Sequence, residues 1–389
     1  MAKRRASAKR AQPARKTARP AAGAKRRARP APVLAATKGG PGIYVGIHFG
    51  VRMTTVGVAG PSGTIEVVRK QPSLVGSPAR SIKAAAALVD EALAAARATR
   101  ERIKVVGATV PGLIDQESGT CVLAPNLGWH NFPLRDALAD ELGATVIVSN
   151  VAQAAAVAEG RVGAARRARS YVWIHVGSGV GSGIVLDGKV FYGRRGFSGE
   201  IGHCPVVHPG PPCGCGRLGC LETVASAKAI VKAAENAVAA GEPTVLAELP
   251  PPISSTSVAA AAREGDPVAR RILGEASEYL GRGISYLLNV LNPEMVVLGG
   301  AVAQAGETLV GPVRASVARH SLLPAGVAVV PSTLGNRAEL TGAVFLAVDH
   351  GEENVSLSGK AGQASLAAVE VEAADEPVSA RARASSRRS

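Results

Sequence analysis

His203, Cys213, Cys215 and Cys220 place one imidazole and three thiols within 18 residues of chain. This soft ligand set suits a closed tetrahedral zinc site. Glycines at 210, 214, 216 and 219 let the backbone turn sharply between ligands separated by only one or four intervening residues. Four protein ligands leave no open coordination position, so the ion would be structural rather than catalytic. Cys204 follows His203 directly and would point away from a shared metal. We read it and Cys121 as small core residues.

The pattern continues on both sides of the ligands. Gly199-Glu200-Ile201-Gly202 precedes His203, and Glu222 and Ser226 follow Cys220. Further motifs are Val110-Pro111-Gly112, Pro125-Asn126-Leu127-Gly128-Trp129, the loop Gly177 to Gly183, and Asn292-Pro293-Glu294 leading to Leu298-Gly299-Gly300. In this order they resemble the ROK family, which unites bacterial sugar kinases with sugar-responsive repressors. The likeness spans about residues 42 to 350. The zinc signature carries most of it, since each of the other motifs is weak alone.

The resemblance implies an α/β chain with the actin-like ATPase (ribonuclease H-like) fold, two similar α/β domains facing a cleft. We expect an N-terminal domain over 41–150, joined by the last helix at 336–350, and a C-terminal domain with the zinc motif over 151–335. Residue patterning agrees. Ile43 to Ala59 reads as two strands around a turn at Gly50-Val51-Arg52, followed by an Ala-rich helix from Ser81 to Arg97 and buried strands at Ile103 to Thr109 and Thr145 to Ser149. A second strand pair runs from Tyr171 to Val176 and Ser182 to Leu186, with Asp187-Gly188 as a hairpin turn. Helices then dominate from Ala227 to Leu291, ahead of a short strand at Met295 to Leu298.

By the same resemblance, Glu200, His203 and Glu222 contact sugar hydroxyls, Asn150 lies beside the reacting end, and Gly112 with Asn126 to His130 lines the opposite wall. Carboxylates, amides and imidazole suit a polyhydroxylated ligand, whose hydroxyls both donate and accept. Trp129 reads as packing rather than a stacking platform. The nucleotide side has changed more. Where active members resemble Asp-x-Gly-Gly-Thr, this chain has His48-Phe49-Gly50-Val51-Arg52, which keeps one glycine and replaces the acid near magnesium. The expected general base belongs to an Asn-Asp pair after a buried strand, and here Asn150 is followed by Val151. A valine can neither accept nor orient a proton, and loss of a general base typically removes about 10² to 10⁴ of rate. Gly50, Gly177, Gly179, Gly181, Gly299 and Gly300 are therefore carried as vestigial nucleotide positions, with no catalytic residue assigned and no reliance on ATP or Mg²⁺.

The net charge of +15 is uneven. Residues 1–38 hold 13 Lys or Arg and no acid, while 39–350 are nearly neutral. A segment made of Ala, Lys, Arg and Pro buries too little apolar surface to offset its ordering entropy, so 1–40 should be a disordered tail, as should 351–389. The basic tail could bind DNA without sequence preference by neutralising phosphates. It could equally be a solvated arm or an extension from a misassigned start. It is too short and Pro-rich for the helix-turn-helix usual in repressors of this family. No apolar run approaches membrane-spanning length, and the cysteines suit a reducing compartment, so we expect a cytoplasmic protein without membrane contact, nucleoid-associated if the tail binds DNA. The resemblance implies a homodimer or homotetramer. The expected function is a sugar-binding regulator without kinase activity; the alternatives are an ATP-dependent hexose kinase, for glucose or an N-acetylhexosamine, and a nucleoid protein acting through its tail.

Overall fold

The computed structural model describes residues 42–322 and 327–358, with side chains to 352. The expectations for both tails lie outside the described residues.

Two five-stranded sheets share one topology. The first contains β1 (Ile43–Phe49), β2 (Met53–Ala59), β3 (Ile65–Pro72), β4 (Ile103–Val110) and β8 (Thr145–Asn150), in the order β3-β2-β1-β4-β8. The second contains β9 (Tyr171–Val176), β10 (Val180–Leu186), β11 (Lys189–Val190), β12 (Met295–Gly299) and β13 (Ala328–Pro331), in the order β11-β10-β9-β12-β13. In each, an antiparallel meander supplies three strands and two more join parallel to the first. This repeat is the actin-like ATPase fold expected from the sequence, an α/β architecture with two similar halves. The central strands are apolar on both faces, as strands covered on both sides must be: every residue of β1 except His48 is buried.

Between β4 and β8 the chain inserts a small sheet of β5 (Leu113–Asp115), β6 (Thr120–Ala124) and β7 (Trp129–Phe132). Sequence patterning did not isolate these short strands, nor β3 and β13. Trp129 is buried in the first core, 5.3 Å from Phe49 and 5.9 Å from Phe132 between ring centroids, which is the packing role expected of it.

The first half also carries α1 (Pro78–Ala95) and α2 (Leu134–Leu142). The second carries α4 (Glu222–Ala225), α5 (Ala227–Ala239), α6 (Ser255–Glu264), α7 (Pro267–Leu291) and α8 (Glu307–His320). Two further helices, α3 (Val151–Val162) and α9 (Ala338–Ser358), join the halves. The Ala-rich sequence of α3 is buried nearly all round, which marks a helix packed on more than one side. It lies against β9 and β10 on one side and α9 on the other. The close approach of α9 to β4 and to α3 depends on two missing side chains. A Cβ at Gly107 would sit 1.9 Å from the Ala343 carbonyl oxygen, and one at Gly342 would sit 2.0 Å from that of Ala154.

Candidate functional site

A cavity of about 860 Å³ opens between the halves. On the first half it is lined by Gly112, Asn126 and Asn150; on the second by Gly179, Gly181, Glu200, His203 and Glu222. Eight residues proposed from sequence for sugar or nucleotide thus reach one space, and Val151 lines it beside them.

Asn150 stands at the joint between β8 and α3. Its Oδ1 accepts from the Ala152 amide at 2.6 Å, capping the helix, and its Nδ2 donates to the Gly112 carbonyl at 2.9 Å. One side chain thereby fixes both the start of α3 and the turn after β4. Asn126 accepts from Lys228 Nζ at 2.6 Å, a contact that spans the cavity from the small sheet to the first turn of α5. Lys228 lines the cavity too, and so do Phe197 and Arg217. Sequence reasoning passed over all three, because no local motif marks a side chain that matters only through a partner far along the chain.

Glu222, the first residue of α4, accepts from the Val180 amide at 3.2 Å. A Cβ at Gly179 would fall 2.2 Å from the same carboxylate oxygen, so the well-preserved second glycine loop has a local use: it admits Glu222. Glu200 precedes a single helical turn, Ile201–His203. Burial first, and the neighbouring Glu222 carboxylate second, push its carboxyl up to about 7.

The four metal-ligating candidates come together. One ligand atom from each of His203, Cys213, Cys215 and Cys220 lies within 4.8 Å of all the others. Cys213 Sγ is 3.6 Å from His203 Nδ1, and Cys215 Sγ is 3.7 Å from Cys220 Sγ. Tetrahedral zinc, with bonds of about 2.3 Å to sulfur and about 2.0 Å to nitrogen, has edges of roughly 3.8 Å and 3.6 Å. The cluster therefore has the size to hold such a metal. Backbone pairing of Pro205 with Cys220 and of Pro212 with Leu218 clips the loop shut around it. Cys204 packs against the second core and Cys121 lies in the first, both apart from the cluster.

Other positions depart from expectation. His130 does not line the cavity. It is exposed on β7, where side chains alternate and Trp129 has taken the buried face. Gly50, Gly177, Gly299 and Gly300 are also absent from the lining. A Cβ on Gly299 would strike the Trp173 ring at 2.3 Å and one on Gly300 the Val176 carbonyl at 2.6 Å, so packing alone accounts for that pair. Two carboxylates that could have replaced a base at 151 are engaged elsewhere. Asp115 is paired with Arg195, whose Nε lies 2.9 Å away. Glu159 is fully buried, accepting from Ser332 and from the Ala164 amide at 2.7 Å. None of the described helices is long and apolar enough to cross a membrane.

Comparison with known proteins places this geometry. A glucokinase of Halalkalibacterium halodurans is 37% identical over 264 residues, 66% of this chain and 80% of that enzyme. A xylose repressor of Caldicellulosiruptor bescii is 33% identical over 265 residues, 67% of this chain but 66% of the repressor. Among solved structures, a ROK family glucokinase from Streptomyces griseus with glucose and AMPPNP superposes with a TM-score of 0.72 at 31% identity, covering 79% of this chain and all of the enzyme. A ROK family transcriptional regulator, a homologue of E. coli MLC, gives 0.73 at 29% identity, covering 82% and 81%. Kinases and repressors thus resemble the chain to nearly the same degree. With residues 44–350 matching the family model, this protein belongs to the ROK family.

Proposed function

We propose that this protein is a sugar-sensing regulator, binding a carbohydrate in the cleft without phosphorylating it. The observation that carries this reading is Val151, which lines the cavity directly after the capping Asn150, where the family's base is expected. The engagement of Asp115 and Glu159 elsewhere supports it. Sugar hydroxyls would meet Glu200, Glu222 and His203 on one wall, and Asn126, Asn150 and the Gly112 turn on the other. Zinc held by His203, Cys213, Cys215 and Cys220 would stiffen the wall that presents both glutamates. His203, with Nδ1 toward Cys213, keeps its other ring nitrogen for the cavity it lines. The basic residues of 1–38 would add salt-sensitive DNA affinity, and deleting them should abolish DNA binding while sparing sugar binding.

A hexose kinase is the second reading, favoured by Glu200, whose carboxyl near 7 is suited to accepting a proton. One assay separates the two. Purified protein is incubated with ATP, Mg²⁺ and a panel including glucose and N-acetylmannosamine, and sugar binding is measured in parallel by calorimetry. Binding without turnover supports the regulator; turnover above about 1 s⁻¹, the low edge of ordinary enzymes, refutes it.

A further inference from the structure

Three ionisable side chains meet between the halves, none of them among the proposed sugar contacts, although His175 reaches the cavity. His48 comes from the end of β1, His175 from the end of β9, and Glu339 from the first turn of α9. His175 Nδ1 lies 3.4 Å from Glu339 Oε1, and His48 Nδ1 lies 3.1 Å from the Thr109 hydroxyl. Glu339 is only 7% exposed, an unusual place for a carboxylate. Burial pushes its carboxyl up, but His175 and then His48 outweigh that and hold it below the ordinary value.

The position of the two rings matters as much as their charge. Gly50 and Gly177 are the glycines of the two hairpin turns that resemble phosphate-admitting loops. A Cβ on Gly50 would be 2.7 Å from the Met53 carbonyl oxygen and 2.9 Å from His48 Nε2, and one on Gly177 would be 2.3 Å from His175 Nε2. Each of these two glycines therefore has an imidazole from its own strand, two residues back, standing against it. A phosphate approaching the first turn meets a ring edge, with a buried carboxylate beyond it; at the second, Ser178 and Gly179 line the cavity beside His175. Burial lowers the His48 pKa despite the pull of Glu339, so that ring offers a phosphate little positive charge. The cavity reaches His175 but does not include Gly50 or Gly177 in its lining.

We infer that His48, His175 and Glu339 form a built-in plug, filling with protein groups the space between the two glycine turns so that the cleft takes a sugar but no nucleoside triphosphate. This deepens the regulator reading and rests on it. Val151 removes the proton acceptor; the plug removes the phosphoryl donor. The two losses are independent, and a protein with only the first would still bind nucleotide.

The test titrates Mg·AMPPNP into the full chain, saturated with glucose, and follows tryptophan fluorescence. Trp173, one of two tryptophans, has its ring centroid 5.6 Å from that of His175, so it reports on the plug and not on nucleotide held by the basic segment. Wild type should show no saturable change up to about 10 mM. The double variant His48→Ala/Glu339→Ala should saturate at least tenfold lower, near about 1 mM. Glu339→Gln, which keeps the volume and removes the charge, serves where the double variant does not fold, as judged by thermal melting, and should gain part of the effect. Saturable wild-type binding without sugar phosphate formation sinks the plug and leaves the regulator reading intact. No gain in any folded variant also sinks the plug. A wild type that takes neither nucleotide nor sugar sinks the regulator reading instead.

Discussion

Gly179→Ala is a small change with a directional consequence. The added Cβ would lie 2.2 Å from Glu222 Oε2. Ordinary carbon–oxygen contact needs roughly 1 Å more, so either the loop or the carboxylate must move. The carboxylate is the end of a flexible side chain and will yield first, giving up its 3.2 Å bond to the Val180 amide. Folding should therefore suffer little, while sugar recognition should suffer a great deal. A hydrogen bond to a charged group is worth about 1.5–3 kcal/mol, so a ligand that depends on Glu222 in place should bind roughly 10- to 150-fold more weakly. Gly181→Ala is the matched control. In the same loop its Cβ would find nothing nearer than the Ala152 methyl at 3.9 Å, an ordinary contact. Calorimetric titration of both variants with the same sugar, glucose first, compares them directly. Equal affinity in the two variants would refute the view that the loop's glycine exists to seat Glu222.

Two other outcomes are open to measurement. Cys213→Ser/Cys215→Ser should lower bound zinc by about one ion per chain, read by elemental analysis, and weaken sugar binding; a variant that loses the metal and binds sugar normally would remove the support role. Acidification should destabilise the fold in two windows. Burial, and then His175, lower the His48 pKa from 6.5 against the pull of Glu339, so the unfolded chain takes up a proton that the folded chain resists. Its contribution is complete above 6.5 and is lost as pH falls from there through the folded value. Glu339, held below its ordinary value, adds a second loss as pH falls below about 4.5. Urea midpoints from pH 7 to 5 should fall less steeply for His48→Gln than for wild type, and parallel slopes would contradict the assignment.

The sequence by itself determined what depends on neighbours along the chain. The metal cluster is legible because its ligands fall within one loop whose glycines permit the turns, and the pairing of β1 with β2 and of β9 with β10 follows from apolar runs broken by turn residues. Val151 shows as a single residue that departs from the motif of the family it resembles. The small sheet β5-β6-β7 was hidden because its strands are too short for their alternation to stand out, and with it went the facing of His130. Only the tertiary structure decided which distant groups share a space: Glu222 against Gly179, Lys228 against Asn126, and His48, His175 and Glu339 from three elements. The meetings that join the two halves depend on how closely α9 and α3 pack between the sheets, through contacts such as Gly107 to Ala343 and Gly342 to Ala154. Periodicity says which face of an element is apolar, but two halves can close on a common cleft in many ways until backbone approaches of that kind fix one.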